Sequence, residues 1–269
     1  MRFEYFQPSG VLSNYIKQYW IIETDNSDGE IVERVIPNGT IDVMFHYKNE
    51  LFVKRGDGNE YNQPKSFISG VNNSYADVYS RGEIGMICVE FHPFAASCFF
   101  RQPLKEIENS ILNLEFIYKQ EIRDIEEQLI ELDTSKKRID LIEKFLLLHL
   151  QIRRKYDLDI IKIAVNSIKH KQGNISTKEL SKALYTTPKT LERKFATLLG
   201  KTPKQYSKIV RFQQVINSFN SNNSSSFTDL AYLNGYHDQA HFIKEFKSFS
   251  GYTPKEFFKI FHPTQEYLQ

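Results

Sequence analysis

The chain has 269 residues, 41% of them apolar and 25% charged, with a formal net charge of +2. This composition excludes a wholly disordered chain and its length favours two domains over one, while two cysteines are too few for a disulfide framework or a cysteine-built zinc centre. The small net charge hides an asymmetry: residues 160–269 hold 16 Lys and Arg against 7 Asp and Glu, and residues 1–159 hold 19 against 26. A basic C-terminal part on an acidic remainder points to a nucleic-acid-binding domain joined to something else. The plain alternative is a solvated charged surface.

The N-terminus, Met1-Arg-Phe-Glu-Tyr-Phe6, lacks the apolar stretch of a signal peptide. The most apolar region, Ile84 to Phe100, is interrupted by Glu90, His92, Pro93 and Ser97, which excludes a membrane helix there. The expected location is the cytoplasm. Leu12, Tyr15, Ile16 and Tyr19 fall on one helical face and predict a helix over 12–19. Residues 31–36, 40–47 and 85–91 are β-branched and aromatic runs that predict strands, with a turn at Pro37-Asn-Gly39. Tyr5, Trp20, Phe45, Tyr47, Phe67, Tyr75, Tyr79 and Phe91 would build a core or line an apolar ligand pocket. From Pro103 the apolar period lengthens, predicting amphipathic helices over 121–132 and 136–150, and Arg153 to Asp157 reads as a linker.

The C-terminal part reads as helical throughout. A first helix carries Ile161, Ala164, Val165 and Ile168 and stops at Gly173. Ser176-Thr-Lys-Glu179, Thr202-Pro-Lys-Gln205 and Thr253-Pro-Lys-Glu256 are capping boxes, and Thr187-Pro188 opens a further helix that ends at Gly200. Residues 220–226 read as a polar loop. A repeat runs through this region. Leu191, Phe195, Gly200, Thr202-Pro-Lys204 and Tyr206 return as Phe242, Phe246, Gly251, Thr253-Pro-Lys255 and Phe257, always 51 residues on. Leu180 matches Leu230 at an offset of 50, so the second turn, Asn234 to His237, holds one extra residue.

Helix, tight turn and helix in each copy is the order of a helix-turn-helix unit, whose second helix enters the major groove. The predicted recognition helices span 188–199 and 239–250. On a helical wheel Leu191, Phe195 and Leu198 face inward while Lys189 and Arg193 face outward, with Glu192 beside them. In the second copy Phe242, Phe246 and Phe249 face inward, and Ala240, Lys244 and Lys247 outward. Arg193 suits a bidentate guanine contact or a phosphate clamp, Glu192 an acceptor role toward cytosine or the orienting of Arg193, and Ala240 a thymine methyl. The helix starts at Ser176, Thr202 and Thr253 offer free N–H groups to phosphates, beside Lys204 and Lys247. The inward residues and caps would be needed for folding alone.

Residues 160–262 resemble the DNA-binding domain of the AraC/XylS family of bacterial transcription regulators. The residues that carry the resemblance are Leu180-Ser-Lys-Ala-Leu184, then Thr187, Leu191, Arg193, Phe195, Gly200, Pro203, Tyr206 and Arg211-Phe212. It continues through Leu230-Ala231, Gly235-Tyr236, Asp238, Phe242, Phe246, Gly251 and Pro254. The resemblance implies seven helices, with two helix-turn-helix units joined by a long helix and bound to adjacent major-groove segments on one DNA face. Carried to this chain, it places Lys189, Glu192 and Arg193 at the DNA in the first unit, and Ala240, His241 and Lys244 in the second; Thr190 and Gln239 are further DNA-binding candidates on the same two helices. Leu12-Ser-x-Tyr15-Ile16, Trp20, Pro37-x-Gly39, Asp42 and Phe91-x-Pro93 resemble, more loosely, an N-terminal domain carried by some members.

The expectation is therefore an α+β chain of two domains. Residues 1–155 form a β-rich, barrel-like sensor or dimerisation domain with helices from about 103, and 156–269 an all-α double helix-turn-helix domain. The expected function is sequence-specific transcription regulation without enzymatic activity, cofactor or metal. Its partners would be double-stranded DNA, RNA polymerase, a small-molecule effector of unknown kind and a second protomer, with no membrane. A rival reading makes the N-terminal part an enzyme addressed to DNA. For that, Glu90-x-His92 with His46 lacks a third defined metal ligand, and Cys88 and Cys98 lie in apolar surroundings unlike those of a cysteine methyl acceptor. A third reading reserves the N-terminal domain for pairing alone.

Overall fold

The computed structural model describes residues 1–25, 31–56, 58–151, 155–221 and 226–260. Among these, the strands are Arg2–Phe6 (β1), Ile16–Glu23 (β2), Val32–Val35 (β3), Asp42–His46 (β4), Phe52–Arg55 (β5), Glu60–Asn62 (β6), Ser66–Ser69 (β7), Ala76–Tyr79 (β8), Gly85–Phe91 (β9) and Ile111–Asn113 (β10). They form two sheets rather than one closed barrel. One has the order β1-β2-β9-β4-β7-β10, the other β3-β8-β5-β6, and the paired strands run antiparallel.

The expected helix over 12–19 is a short 3-10 turn, Gly10–Asn14, followed by β2. The register of β2 on β9 shifts between Ile16 and Gln18. A bulge of this kind places one extra residue between inward side chains. Ile16 and Tyr19 are therefore both buried at a spacing of three, which imitates a helical period.

The larger sheet has two unlike faces because strand side chains alternate. Tyr19, Ile21, Val43, Phe45, Ile87 and Val89 lie on one face and are fully buried. Two amphipathic helices, Gln120–Glu131 (α2) and Ser135–His149 (α3), supply Ile122, Leu129, Ile139 and Ile142 to the same core, after a short helix, Glu115–Tyr118 (α1). Buried polar groups in this layer are paired. Glu143 of α3 accepts from the Ser9 hydroxyl at 2.5 Å and the Tyr19 hydroxyl at 3.1 Å. The Arg138 guanidinium lies 3.9 Å from the centre of the Tyr47 ring. The opposite face, with Gln18, Trp20, Asp42, Met44, Phe67 and Glu90, turns to the smaller sheet across a cavity of about 500 Å³.

The helices of the second half are Lys155–His170 (α4), Thr177–Ala183 (α5), Pro188–Leu199 (α6), Pro203–Ser221 (α7), Phe227–Leu233 (α8), Gln239–Ser250 (α9) and Pro254–Ile260 (α10). Residues 152–154 of the expected linker lie outside the described residues, and 155–157 already belong to α4, so the helix begins earlier than the polar composition suggested. Of the expected loop at 220–226, 222–225 lie outside the described residues. Past Pro103 a further turn and β10 precede the helical tail. Phe212 of α7 packs 5.0 Å from both Phe246 and Phe249, and Phe219 stacks on Phe258 at 3.7 Å, joining α7 to α9 and α10. Among the described residues no helix is long and apolar enough to cross a membrane.

The two helix-turn-helix turns differ in strain. Tyr185, between α5 and α6, has φ of +49°, and Gly235, its counterpart in the second copy, has +76°. The left-handed region costs a residue with a Cβ about 1–2 kcal/mol, and the Tyr185 side chain recovers little because the residue is 97% exposed. Tyr185→Gly is expected to stabilise the fold by about 1 kcal/mol, measured as a higher urea midpoint at unchanged slope. An unchanged or lower midpoint would refute the strain.

Candidate nucleic-acid interface

Both recognition helices are built the same way. The Thr187 hydroxyl oxygen accepts from the Thr190 N–H at 3.2 Å at the start of α6, and Asp238 accepts from the His241 N–H at 2.7 Å at the start of α9. Each side-chain cap satisfies one donor that the first turn leaves without an intrahelical partner. Each helix ends on a glycine in the left-handed region, Gly200 with φ +78° and Gly251 with φ +79°. Leu191, Phe195 and Leu198 of α6, and Phe242, Phe246 and Phe249 of α9, are buried. That leaves Lys189, Glu192 and Arg193 exposed on one helix and Gln239, Ala240, His241 and Lys244 on the other, while Thr190 is half-buried beside its cap.

The two glycines do more than end helices, since both touch the N-terminal domain. A Cβ on Gly200 would stand 2.7 Å from the Leu104 carbonyl oxygen, and one on Gly251 would stand 2.5 Å from the Tyr75 ring. Around these points lie polar ties. Lys201, 1% exposed, donates to Glu108 at 2.9 Å and to Asn109 at 3.2 Å, and Gln205 donates to Glu108 at 3.0 Å. Burial acts to raise the Glu108 carboxyl, but the hydrogen bond and charge of Lys201 hold it below its usual value. Arg34 of β3 pairs with Asp77 at 2.6 Å, lies between the Tyr75 and Tyr252 rings, and donates to the Ser250 carbonyl at 3.3 Å. Gln213 of α7 donates to the Pro37 carbonyl at 2.6 Å. Both recognition helices are thus held at their C-terminal ends, with their N-terminal turns left open.

The expected phosphate contacts divide. Lys204 and Lys247 are exposed. At each of the three helix starts a side chain takes the N-cap N–H: that of Ser176 goes to Glu179 at 2.9 Å, that of Thr202 to Gln205 at 2.8 Å and that of Thr253 to Glu256 at 2.8 Å. At Ser176 and Thr253 an incoming phosphate would meet a carboxylate, and the start of α7 at Thr202 faces Glu108.

Sequence reasoning missed Glu245, which lies within α9 yet is buried. Its carboxylate accepts from Arg211 at 2.9 Å, and Lys208 Nζ lies 2.8 Å from its other oxygen as an ion pair. Arg211 in turn stacks over Tyr236 at 4.6 Å, and His241 lies 3.8 Å from Glu245. Burial acts to raise the Glu245 carboxyl, but the Lys208 and Arg211 cations leave it below its usual value. This network fixes α9 and its turn to α7. A glutamate between Phe242 and Phe246, with Lys208 and Arg211 on one face of a long helix upstream, is the only sequence signal for it.

The other candidates do not converge. His46 bonds Gln63 at 3.0 Å and is buried, which brings its imidazole down to about 4. His92 stacks on Phe94, and Glu90 accepts from Lys17 and Gln18. Both cysteines are free and buried, and burial pushes the Cys88 thiol well above its usual range. Among the described residues no cluster of three His, Cys, Asp or Glu side chains is placed to hold a metal ion.

The family model of a helix-turn-helix domain matches residues 180–260. The C-terminal domain is of the AraC type. This domain supports a DNA-binding transcription regulator. A second family model, described as a domain of unknown function (DUF6597), matches residues 4–113. No curated protein matches the chain by sequence. Among solved structures, ToxT from Vibrio cholerae O395 is similar at 12% identity over 97% of this chain and 98% of that one, with a TM-score of 0.48. ToxT from Vibrio cholerae strain SCE256, bound to an unsaturated fatty acid, is similar at 14% identity over 91% and 96%, with a TM-score of 0.46. An AraC-type transcriptional regulator from Chromobacterium violaceum shares 21% identity over 36% of this chain and 88% of that one, with a TM-score of 0.34.

Proposed function

We propose that the AraC-type domain binds duplex DNA by inserting α6 and α9 into successive major grooves, under the control of a small molecule held between the sheets of the N-terminal domain. Lys189, Thr190, Glu192 and Arg193 would read bases in the first groove, and Gln239, Ala240, His241 and Lys244 in the second, while Lys204 and Lys247 would meet phosphates. The observation that carries this reading is the shared construction of the two helices, capped alike, open at their N-terminal turns and docked through equivalent glycines. Control from the N-terminal domain is supported by the cavity and its position. Its lining extends from Trp20 and Met44 to Lys169 of α4 and Gln213 of α7, so its contents border both domains. Its volume of about 500 Å³ lies within the range usual for small-molecule sites.

The test is a titration of the full chain against operator DNA, selected from a random duplex pool, at several salt concentrations. Each neutralised phosphate contributes a slope of about −0.9 to log affinity against log salt. A slope of several units is expected, with a bipartite selected sequence. A flat salt dependence or a pool without consensus would sink the reading.

A further inference from the structure

We infer that the ligand of the N-terminal cavity is an organic amine, an apolar body carrying a protonated nitrogen seated against Asp42. The inference rests on the cavity being a ligand site and specifies the chemistry of its occupant.

The register of the larger sheet divides the cavity wall into rows. Gln18 pairs with Glu90, Glu90 with Asp42, and Asp42 with Ser69, so four strands place one polar row side by side. Two residues along each strand, Trp20, Met44 and Phe67 form an apolar row on the same face. The cavity therefore has a polar end and an apolar wall, and a ligand that fills it needs both characters.

The polar end is unevenly satisfied. Asp42 and Glu90 are carboxylates directly opposite one another on neighbouring strands, an arrangement that costs energy when both are charged. Glu90 is compensated: Lys17 donates to one oxygen at 2.9 Å and Gln18 to the other at 2.8 Å. Lys169, reaching in from α4, feels Glu90 and Lys17. Asp42 accepts from the Thr40 hydroxyl at 3.2 Å on Oδ2, and the Asn38 side chain acts on it as a further hydrogen-bond donor. Its Oδ1 is buried without a hydrogen-bond partner. The nearby charges that act on it are Glu90, which repels, and Lys17, which is already engaged by Glu90. Burial and Glu90 together push the Asp42 carboxyl up to about 7. Oδ1 is thus a buried acceptor without a donor, beside the like charge of Glu90, and a group that brings both a donor and a positive charge suits it. An ammonium supplies both and a hydroxyl supplies the donor alone. A carboxylate would add a third negative charge to the row.

The experiment uses the full chain at pH 7.5 and three probes of one shape: 4-phenylbutylamine, 4-phenylbutanol and 4-phenylbutyrate. Trp20 is the only tryptophan of the chain and lies in the cavity wall, so its fluorescence reports occupancy directly. Thermal shift gives an independent readout, because a ligand of the native state raises the melting temperature. The amine is expected to bind about tenfold or more tightly than the alcohol, the scale of one charge-assisted hydrogen bond, and the acid more weakly than either. Asp42→Asn should remove the preference of amine over alcohol while leaving alcohol binding in place. Equal or tighter binding of the alcohol or the acid overturns the amine assignment and leaves the cavity standing as a ligand site. An amine affinity unchanged in Asp42→Asn overturns it too. Failure of all three probes to alter Trp20 fluorescence or the melting temperature overturns the cavity reading itself.

Discussion

Arg193→Ala is expected to weaken binding to the selected operator by about 1–3 kcal/mol, roughly 5- to 150-fold, and to relax base preference at one position of the first half-site. Arg193 is exposed on α6, between the buried Leu191 and Phe195. The helix is held by those apolar residues, by the Thr187 cap and by the docking of Gly200, none of which involves the guanidinium. The substitution should therefore leave thermal stability within about 0.5 kcal/mol of the parent, as for other exposed sites. A planar fork of donors on an exposed helix face matches the two acceptors of a guanine edge, and alanine offers none. The measurement is a fluorescence-anisotropy titration at fixed salt against the operator and its single-base variants. An unchanged affinity and an unchanged base preference would mean that α6 does not present this face to the groove.

The second large effect concerns stability. Glu245→Ala is expected to destabilise the chain by about 3 kcal/mol, the lower end of the range for breaking a buried ion pair. The carboxylate side chain is 4% exposed and neutralises Arg211, itself 16% exposed, together with Lys208. Lys208 is more open and can turn to solvent, which keeps the loss at that lower end. Arg211 cannot do so without leaving the Tyr236 ring. The pH dependence has a defined sign. The folded carboxyl lies below its usual value, so its contribution is present above the unfolded carboxyl's pKa of about 4.3 and fades as pH falls through the lower folded value. The gap between parent and variant in chemical denaturation should thus be full at pH 7 and shrink below about pH 4. A gap that persists at low pH would mean the loss comes from packing. Operator binding should also weaken, since α9 loses its polar tie to α7 and keeps only the Phe212 packing.

What was legible in the sequence was whatever repeats or follows a local period. Leu191, Phe195, Phe242 and Phe246 set the inward faces of α6 and α9, and Thr187 and Gly200 set the ends of the first. Each depends on neighbours within a few residues. The features that escaped depend on partners far along the chain. Glu245 reads as surface until Arg211, 34 residues away, folds over it. Lys201 reads as a solvated lysine until Glu108, 93 residues away, receives it in a buried pair. The bulge in β2 misled for a different reason, since one extra residue turns a strand's spacing of two into a spacing of three. The helix starts at Ser176, Thr202 and Thr253 were recognised from their capping residues, which bond within three residues of one another. For the proposed amine site, Asp42 was visible only as part of a motif, because its missing partner is a property of three neighbouring strands.

The 19-residue α7 has a consequence of its own. At about 1.5 Å per residue it is a rod of roughly 28 Å, against which α6 packs at Tyr206 and α9 at Arg211 and Phe212. Gln213 and Val210, near its middle, face the cavity. Pressure on Val210 and Gln213 falls beside the points where α6 and α9 both pack on α7, and would change the angle between the two helices. The quantity such a protein can regulate is then the operator's internal geometry, the number of base pairs between half-sites that both helices can span together.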